Sequence, residues 1–290
     1  MKLEERQTAT QTTTQTATET TRSPGAGPAA ETTSSSESER TAPAGRRLLV
    51  EALGVAALVT GIVTAASAVL PDKYVATVVG FVFLGATWAL VWRGDDQRVE
   101  AAGLALGGIV LPGKLDVARL VRSSAQAIGW ALVLAAITFV PFFFGWRYFW
   151  HPKGSFALHV EPLEALNEVF GQLVIIALPE EAFYRGYLQS RLDAAMPGFG
   201  LRRQKGTGEL VPARFNIFGA SVGPALLVTS LVFALGHFAT IREPARLAVF
   251  FPSLLFGWLR YRTKGIGAGI AFHAMCNVFS EMLGRGFRVY

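Results

Sequence analysis

Charged residues are scarce in this 290-residue chain, where Asp, Glu, Lys and Arg make up 17% of the sequence and hydrophobic residues 51%. An ordinary soluble domain carries about a quarter charged residues. The shortage excludes such a domain and indicates a protein that lies in a membrane. The single cysteine, Cys276, excludes an intrachain disulfide. Its place within an apolar segment favours an inert core residue over a nucleophile.

The first 45 residues lack aromatic side chains and any long apolar run. They contain twelve threonines together with clustered Ser, Pro, Glu and Gln. Such a segment cannot bury enough apolar surface to fold, so residues 1–45 are predicted to form a disordered tail. The absence of an apolar stretch also argues against a cleaved signal peptide. A membrane-embedded domain is then predicted over residues 46–290.

Seven apolar runs follow the tail, each approaching the roughly 20 residues with which a helix crosses a bilayer. They are Leu48–Leu70, Val75–Trp92, Ala125–Trp146, Leu163–Leu188, Pro224–Phe238, Ala245–Leu259 and Ile266–Leu283. The run Ala101–Pro112 is shorter and rich in glycine, and we interpret it as a re-entrant or interfacial segment. The predicted fold class is all-α, a polytopic transmembrane bundle of about seven spans.

Basic residues concentrate before the first run and after the second, fourth and sixth runs. With seven spans, this alternation predicts a cytoplasmic N-terminus and a multi-pass protein of the cell inner membrane. Arginine supplies 21 of the 27 basic residues, which favours a GC-rich bacterial genome. The net charge of +6 comes without a basic face that carries base-reading elements, so nucleic acid is not a predicted partner.

Ionisable side chains inside the apolar runs suggest a functional site. Glu180, Glu181 and Arg185 lie in the fourth run, while His237 and His273 lie in the fifth and seventh. Charged groups at such depth cost several kcal/mol unless they are paired or face a wet cavity. A purely structural ion pair is the alternative interpretation.

Helical spacing separates the roles of the two adjacent glutamates. Glu181 precedes Arg185 by four residues, so these side chains share a helix face and are predicted to form an ion pair. Glu180 is rotated by about 100° around the helix and is left as the carboxylate freer for chemistry. Pro179 removes the hydrogen bond to residue 175, and it predicts a kink where the freed carbonyl meets protein or water.

The two histidines have partners with the same spacing: Phe233 precedes His237 by four residues, and Asn277 follows His273 by four. Helical rise places Glu180 about 16 Å from Arg191, His273 about 14 Å from Lys264 and His237 about 20 Å from Pro224. Polar residues with separate structural roles would not be expected to lie at the same depth in the membrane. The agreement therefore predicts that the three side chains belong to one site near the middle of the membrane.

A carboxylate, two imidazoles and a carboxamide in a wet, buried pocket suit the hydrolysis of an acyl bond. Glu180 could take a proton from water, and a histidine could share that duty or protonate the leaving amine. The second imidazole and the Asn277 amide could donate to the developing oxyanion. The sequence offers no Ser or Cys nucleophile with a neighbouring base, so water is the predicted attacking group.

The motifs Glu180-Glu181-x-x-x-Arg185, Phe233-x-x-x-His237 and His273-x-x-x-Asn277 resemble the signature of the CPBP intramembrane proteases. This family includes type II CAAX prenyl endopeptidases and bacteriocin-processing (ABI) proteins. The resemblance covers about residues 165–280 and extends to the surrounding sequences Phe183-Tyr184-Arg185-Gly186 and Phe233-Ala234-Leu235-Gly236-His237.

The resemblance implies that Glu180 and His237 activate water and that His273 and Asn277 form the oxyanion site. It assigns supporting roles to Glu181 and Arg185, and we expect Phe233 to support its histidine. It also implies a membrane-anchored peptide or protein as substrate and no cofactor. Bacteria generally lack prenylated CAAX proteins, which favours another membrane-anchored substrate.

Two other functions remain open at this point. Glu180, His237 and His273 could bind zinc in a site with an open fourth position, although the sequence has no His-Glu-x-x-His motif and Asn is a poor zinc ligand. The polar residues could instead belong to a non-catalytic scaffold or a transporter. No internal repeat of broken helices is visible, which weakens the transporter hypothesis.

Overall fold

The computed structural model describes residues 33–289, with side chains from residue 44 onward. Ten α-helices lie in this part of the chain: α1 (Thr33–Val69), α2 (Asp72–Thr87), α3 (Asp96–Ala101), α4 (Val117–Trp150), α5 (Pro162–Phe170), α6 (Leu178–Glu181), α7 (Gln189–Ala195), α8 (Pro224–Thr240), α9 (Phe250–Thr263) and α10 (Gly267–Gly286). The π-helical segments are Trp88–Trp92, Gly171–Ala177 and Ala182–Leu188, and the 3₁₀ segments are Leu106–Gly108 and Pro244–Val249. The mainly helical fold predicted from the sequence is confirmed.

The predicted tail overlaps the start of the described chain. Residues 1–32 lie outside the described residues, and α1 begins at Thr33, within the segment expected to be disordered. Residues 41–290 group into one compact unit.

Three helical stretches are long and apolar enough to cross a membrane: Ala44–Val69, Asp72–Trp92 and Val117–Trp150. They correspond to the first three predicted spans and expose large apolar side chains such as Leu58, Phe81 and Phe144. The chain is thus a membrane protein by the character of these helices. The predicted count of seven spans is not confirmed, because the later runs form shorter or interrupted helices, such as the apolar Pro224–Thr240. Between α3 and α4, Ala101–Pro112 contains only a short 3₁₀ turn.

The fourth predicted span is an alternation of helix types, in which π-helical segments connect α5 to α6 and α6 to α7. Pro179 lies in the short α6 between them. Gly80 of α2 packs against this region, since a Cβ atom there would lie 2.7 Å from the Ile175 carbonyl oxygen. The carbonyl that Pro179 frees therefore meets protein, as expected from the sequence. Single π-helical turns are frequent at functional sites.

Two small hairpins, which the apolar runs did not predict, occupy the connection between α7 and α8. Strand β1 (Leu201–Arg203) pairs antiparallel with β2 (Leu210–Pro212), and β3 (Phe215–Ile217) pairs antiparallel with β4 (Ala220–Val222). Phe218 and Gly219 form the second turn with φ of 46° and 81°. Trp258 Nε1 of α9 donates to the Ile217 carbonyl at 2.9 Å, which anchors this hairpin to the bundle.

The core surrounds the segment 177–192, whose side chains are almost all buried. One apolar cluster joins this segment to α1, α2, α8 and α10, with Ala56, Phe83, Phe183, Phe233 and Ile270 among its members. A second cluster joins α4, α9 and α10 through Ala131, Trp258 and Phe272. The motif-bearing helix is therefore the innermost element of the bundle.

Basic segments that follow α2, α7 and α9 meet at one end of the bundle. Arg260 donates from Nε and Nη2 to the carbonyls of Ala102 and Ala101. Arg191 pairs with Glu51 of α1 at 2.7 Å. The loops predicted to be cytoplasmic thus lie together, whereas their side of the membrane stays a prediction.

Candidate active site

Three helices bring Glu180, His237 and His273 together. Glu180 on α6 directs Oε2 toward His237 Nε2 of α8 and His273 Nε2 of α10, and both distances are 3.9 Å. The side chains are 13%, 26% and 5% exposed, respectively, so the cluster is mostly buried with its freest edge at His237. The predicted convergence of these three residues is confirmed.

The hydrogen-bond partners fix how each imidazole faces the glutamate. His237 Nδ1 lies 3.0 Å from the Phe233 carbonyl oxygen, which only accepts, so Nδ1 carries the hydrogen. His273 Nδ1 lies 3.0 Å from Glu181 Oε1 and donates to that carboxylate. Each neutral ring then presents the bare lone pair of Nε2 toward Glu180, and each protonated ring presents an N–H there.

The spacing around Glu180 suits a bridging water. A separation of 3.9 Å is too long for a direct hydrogen bond but fits groups that share one water molecule. Glu180 Oε2 is buried, and it has no hydrogen-bond partner within residues 44–289. Buried polar atoms usually have a hydrogen-bond partner, so this oxygen can accept a hydrogen bond from a further group.

Glu181 forms the predicted ion pair and a further contact. Its Oε1 lies 3.0 Å from Arg185 Nη1 in an ion pair and accepts a hydrogen bond from His273 Nδ1 at 3.0 Å, and both glutamate and arginine are fully buried. Gly269 of α10 makes room for the other oxygen, because a Cβ atom there would lie 2.9 Å from Glu181 Oε2. The two adjacent glutamates therefore face His273 at opposite ring nitrogens.

Arg185 is held by a residue that the sequence analysis missed. Its Nη2 donates to the Ser253 hydroxyl at 2.7 Å and to the Ser253 carbonyl at 3.2 Å. The guanidinium also lies over the Phe233 and Phe256 rings, at 4.6 and 5.1 Å from their centroids. Ser253 lies on α9, 68 residues after Arg185, so spacing along one helix does not predict this contact. The one sequence feature that indicates Ser253 is a serine inside an apolar run.

Aromatic rings fix the planes of both imidazoles. The Phe233 ring centroid lies 4.4 Å from that of His237. Phe256 stacks on His273 with centroids 4.7 Å apart and planes inclined by 14°. Phe233 thus supports its histidine through a ring contact as well as through its backbone carbonyl.

Asn277 lies one turn beyond His273 on α10 but is engaged elsewhere. Its Nδ2 donates to Gln172 Oε1 at 2.9 Å, and Gln172 Nε2 donates to Glu168 Oε1 at 2.9 Å. The described contacts do not join Asn277 to Glu180 or to either imidazole. One amide hydrogen of Asn277 stays available, since the side-chain nitrogen carries two. Gln172, a second residue missed from the sequence, sets the orientation of this amide.

Gln172 also lines a cavity of about 620 Å³, together with Glu161, Glu164, Glu168 and Ile176. The cavity lies against α5 and the π-helical segment that leads to Pro179. It is on the opposite end of the bundle from the basic loops. The hydrogen bond from Asn277 to Gln172 thus links the Asn277 amide to a residue that lines this cavity.

The alternative drawn from the sequence is that Glu180, His237 and His273 act as the ligands of a zinc ion. In the described part of the chain, no group of three His, Cys, Asp or Glu residues has the arrangement of a metal site. Tetrahedral zinc bonds of about 2.0–2.1 Å place ligand atoms about 3.4 Å apart. The observed 3.9 Å would have to close by roughly half an ångström to reach that spacing. Cys276 packs against the α4, α9 and α10 cluster as a core residue.

Comparison with protein families matches residues 162–279 to the family described as type II CAAX prenyl endopeptidase Rce1-like. Neither the curated proteins nor the solved structures give a significant match. The matched segment starts with α5 and ends two residues beyond Asn277, so it contains all three motifs and every residue of the site. Its family consists of peptide hydrolases, in agreement with the three-motif resemblance to CPBP proteases. Over residues 162–279, the chain is thus similar to the Rce1-like type II CAAX prenyl endopeptidases.

Proposed function

We propose that the protein is a glutamic-type intramembrane endopeptidase that hydrolyses a peptide bond of a membrane-anchored peptide or protein. The observation that carries this proposal is the buried Glu180 Oε2, which has no partner in the described chain and lies 3.9 Å from two imidazole nitrogens. Such an oxygen is placed to hold and deprotonate one water molecule.

Water activation divides between Glu180 and His237. The Phe233 carbonyl keeps the hydrogen of His237 on Nδ1, so its Nε2 accepts a hydrogen bond from the water. Glu180 takes the proton as the water oxygen attacks the substrate carbonyl carbon. The same carboxyl group then gives that proton to the leaving amine when the peptide bond breaks.

His273 acts as a donor in this scheme, which requires its protonated form. Its Nδ1 hydrogen is committed to Glu181, so only the imidazolium carries a second hydrogen on Nε2 for the developing oxyanion. The Glu181 carboxylate stabilises that cation. The free amide hydrogen of Asn277 is the second proposed donor, with Gln172 fixing its plane.

Charge balance supports this protonation state. With neutral His237, the charges of Glu180, Glu181, Arg185 and protonated His273 sum to zero. When Glu180 accepts the water proton, the new oxyanion replaces its charge and the sum stays zero. A site in a membrane favours such neutrality, because an uncompensated buried charge is costly.

The substrate and the setting complete the proposal. We infer a membrane-anchored peptide other than a prenylated CAAX tail, an inner membrane location and a cytoplasmic N-terminus, from the basic loops and the bacterial composition. No cofactor takes part. Two alternatives are a protease in which Glu180, His237 and His273 bind zinc, and a membrane scaffold or transporter without catalytic activity.

Mass spectrometry of membrane peptides tests the function in cells. A strain that carries Glu180→Gln is compared with strains that carry the natural chain and Glu209→Gln, a control with the same chemical change on an exposed hairpin residue. We expect cleaved peptide termini to disappear and uncut peptides to accumulate only in the Glu180→Gln strain. Equal amounts of the same cleaved termini in all three strains would favour the scaffold.

A further inference from the structure

A second cavity, of about 310 Å³, lies at the end of the bundle where the basic segments meet. It is lined by residues from the π-helical segment Trp88–Trp92, from α3 and the residue after it, from segment 186–194 and from α9. Its charged side chains are those of Arg98, Arg191, Arg260 and Asp193. None of them belongs to the site around Glu180, so the proteolytic mechanism leaves this cavity without a role.

The cavity carries a surplus of positive charge. Asp193 accepts from Arg214 Nη1 at 3.0 Å and from the Tyr261 hydroxyl at 2.9 Å, so a cation outside the lining already compensates its charge. Arg260 binds two neutral backbone carbonyls through Nε and Nη2. Arg98 forms no ion pair among residues 44–289, whereas Arg191 pairs with Glu51 at 2.7 Å. Asp193 also acts electrostatically on Arg260. The four arginines outnumber the two carboxylates, so the cavity and its outside partners keep a surplus of two positive charges.

Two buried polar side chains in the lining, Tyr187 and Gln189, each keep an atom with unused hydrogen-bonding capacity. Tyr187 is 1% exposed. Its hydroxyl has one neighbouring hydrogen-bond partner, the Arg191 guanidinium, in a contact that falls outside strict hydrogen-bond geometry. Because Arg191 can only donate, the hydroxyl hydrogen has no acceptor among the described residues. Gln189 is 1% exposed and donates from Nε2 to the Gly257 carbonyl at 3.1 Å. A buried hydroxyl left beside guanidinium groups is a ready donor for an anionic oxygen.

We propose that this cavity binds a phosphate group through Arg98, Arg260 and the Tyr187 hydroxyl. Guanidinium groups present forked donors that match phosphate oxygens. Leu90 and Val91 add an apolar wall on one side, which suits a phosphate attached to a glycerol or acyl group. Basic pockets between membrane helices on the cytoplasmic side bind lipid headgroups in this way. The phosphate comes from an anionic phospholipid or from a soluble phosphate.

Titration of the full-length protein, purified in neutral detergent, tests the site. One series uses short-chain phosphatidylglycerol and the other inorganic phosphate, each at constant ionic strength, with the melting temperature as the readout. A ligand that binds the folded state raises the melting temperature in a saturable way. Native mass spectrometry counts retained phosphatidylglycerol molecules as a second readout.

Arg98→Gln removes one exposed guanidinium, and Tyr187→Phe removes one hydroxyl with little change in shape. The matched control is Arg122→Gln, which removes an exposed arginine of α4 that does not line the cavity. We expect Arg98→Gln to weaken binding about 10-fold or more and Tyr187→Phe about 5-fold, as for lost hydrogen bonds to a charged ligand. The Arg122→Gln protein should bind like the natural chain.

The two titrations separate the sources of the phosphate. Saturation by phosphatidylglycerol alone assigns the site to a lipid headgroup, and saturation by inorganic phosphate assigns it to a soluble phosphate. Absence of saturable binding in both series overturns the proposal. Unchanged binding by Arg98→Gln and Tyr187→Phe, or equal weakening by Arg122→Gln, overturns it as well. Because the readouts do not use proteolysis, the outcome is independent of the proposed enzymatic function.

Discussion

Glu181 Oε1 lies 3.0 Å from His273 Nδ1, on the side of the imidazole opposite to Glu180. The proposed oxyanion donor is thus held between two adjacent carboxylates with different tasks. In the proposed mechanism, Glu181 stabilises the protonated ring and Glu180 receives the water proton. Since both glutamates lie on one short helical segment, substitution of each should give a distinguishable defect.

Glu180→Gln is expected to lower turnover by about 10²–10⁴, because glutamine keeps the shape of the side chain and removes the base. Its melting temperature should stay near that of the natural protein, since Glu180 forms no short ion pair in the described chain. Single-turnover cleavage of a substrate identified by peptide mass spectrometry measures the loss. Retention of most activity would remove Glu180 from the role of base.

Glu181→Gln is expected to lower both turnover and stability. The change leaves the Arg185 guanidinium without its carboxylate, and removal of one partner of a buried pair costs about 3–5 kcal/mol. It also removes the anion that stabilises protonated His273. Thermal unfolding in detergent, run beside Glu180→Gln, shows whether the two glutamates differ as expected. A Glu181→Gln protein as stable as the natural one would contradict the ion-pair role.

Arg185→Ala should destabilise the fold at least as much as Glu181→Gln, because it removes the same pair and the bonds to Ser253. Ser253→Ala is the milder companion, because Nη2 keeps its bond to the Ser253 carbonyl and loses only the shorter one to the hydroxyl, with an expected cost of about 1–3 kcal/mol. Yield in membranes and melting temperature are the measurements. Full stability of Arg185→Ala with a loss of turnover alone would place the guanidinium in contact with the substrate.

Gly80→Ala should destabilise the protein by about 1–3 kcal/mol, as expected when an atom is forced into a packed interior. The added Cβ atom would lie 2.7 Å from the Ile175 carbonyl oxygen, which is backbone and cannot move aside easily. Gly85→Ala on the same helix meets nothing within 4 Å and is the matched control. Comparable melting temperatures for the two variants would show that α2 does not pack closely against the segment before Pro179.

The relations that follow from spacing along one helix were predictable from the sequence. Glu181 and Arg185 share a face, and depth in the apolar runs placed Glu180 and the two histidines at one level. Ser253 and Gln172 were not predictable, because each reaches its partner from a distant helix and has no spacing signal of its own.

The apolar runs predicted the location of the site residues better than they predicted the type and boundaries of the helices. Hydropathy does not distinguish a continuous α-helix from one interrupted by π-helical segments, so the run Leu163–Leu188 predicts a single helix. The strands of the two hairpins in residues 201–222 have only three residues each and are mostly exposed, so any alternation of apolar and polar residues in them is too short to identify a strand. Their turn residues Phe218 and Gly219 carry a weak signal at most.

Exhaustive chelation is expected to leave proteolysis unchanged if water is activated by Glu180 and His237 alone. The zinc alternative predicts the opposite, since zinc would polarise the water bound at its open position. Activity is compared before and after dialysis against a strong chelator, and again after addition of zinc. Loss on chelation with recovery on zinc addition would replace the glutamic mechanism by the metal-dependent one.

Asn277→Ala tests the second proposed oxyanion donor. Removal of such a donor typically lowers turnover by about 10²–10³, with little effect on substrate affinity. The structure adds a companion variant, because Gln172 Oε1 holds the Asn277 amide at 2.9 Å. Gln172→Leu should cause a smaller loss of turnover, since it frees the orientation of the amide and leaves the donor in place. If Asn277→Ala weakens only substrate binding, the residue recognises the substrate backbone or a terminal carboxylate through the neighbouring groove, and His273 is left as the oxyanion donor.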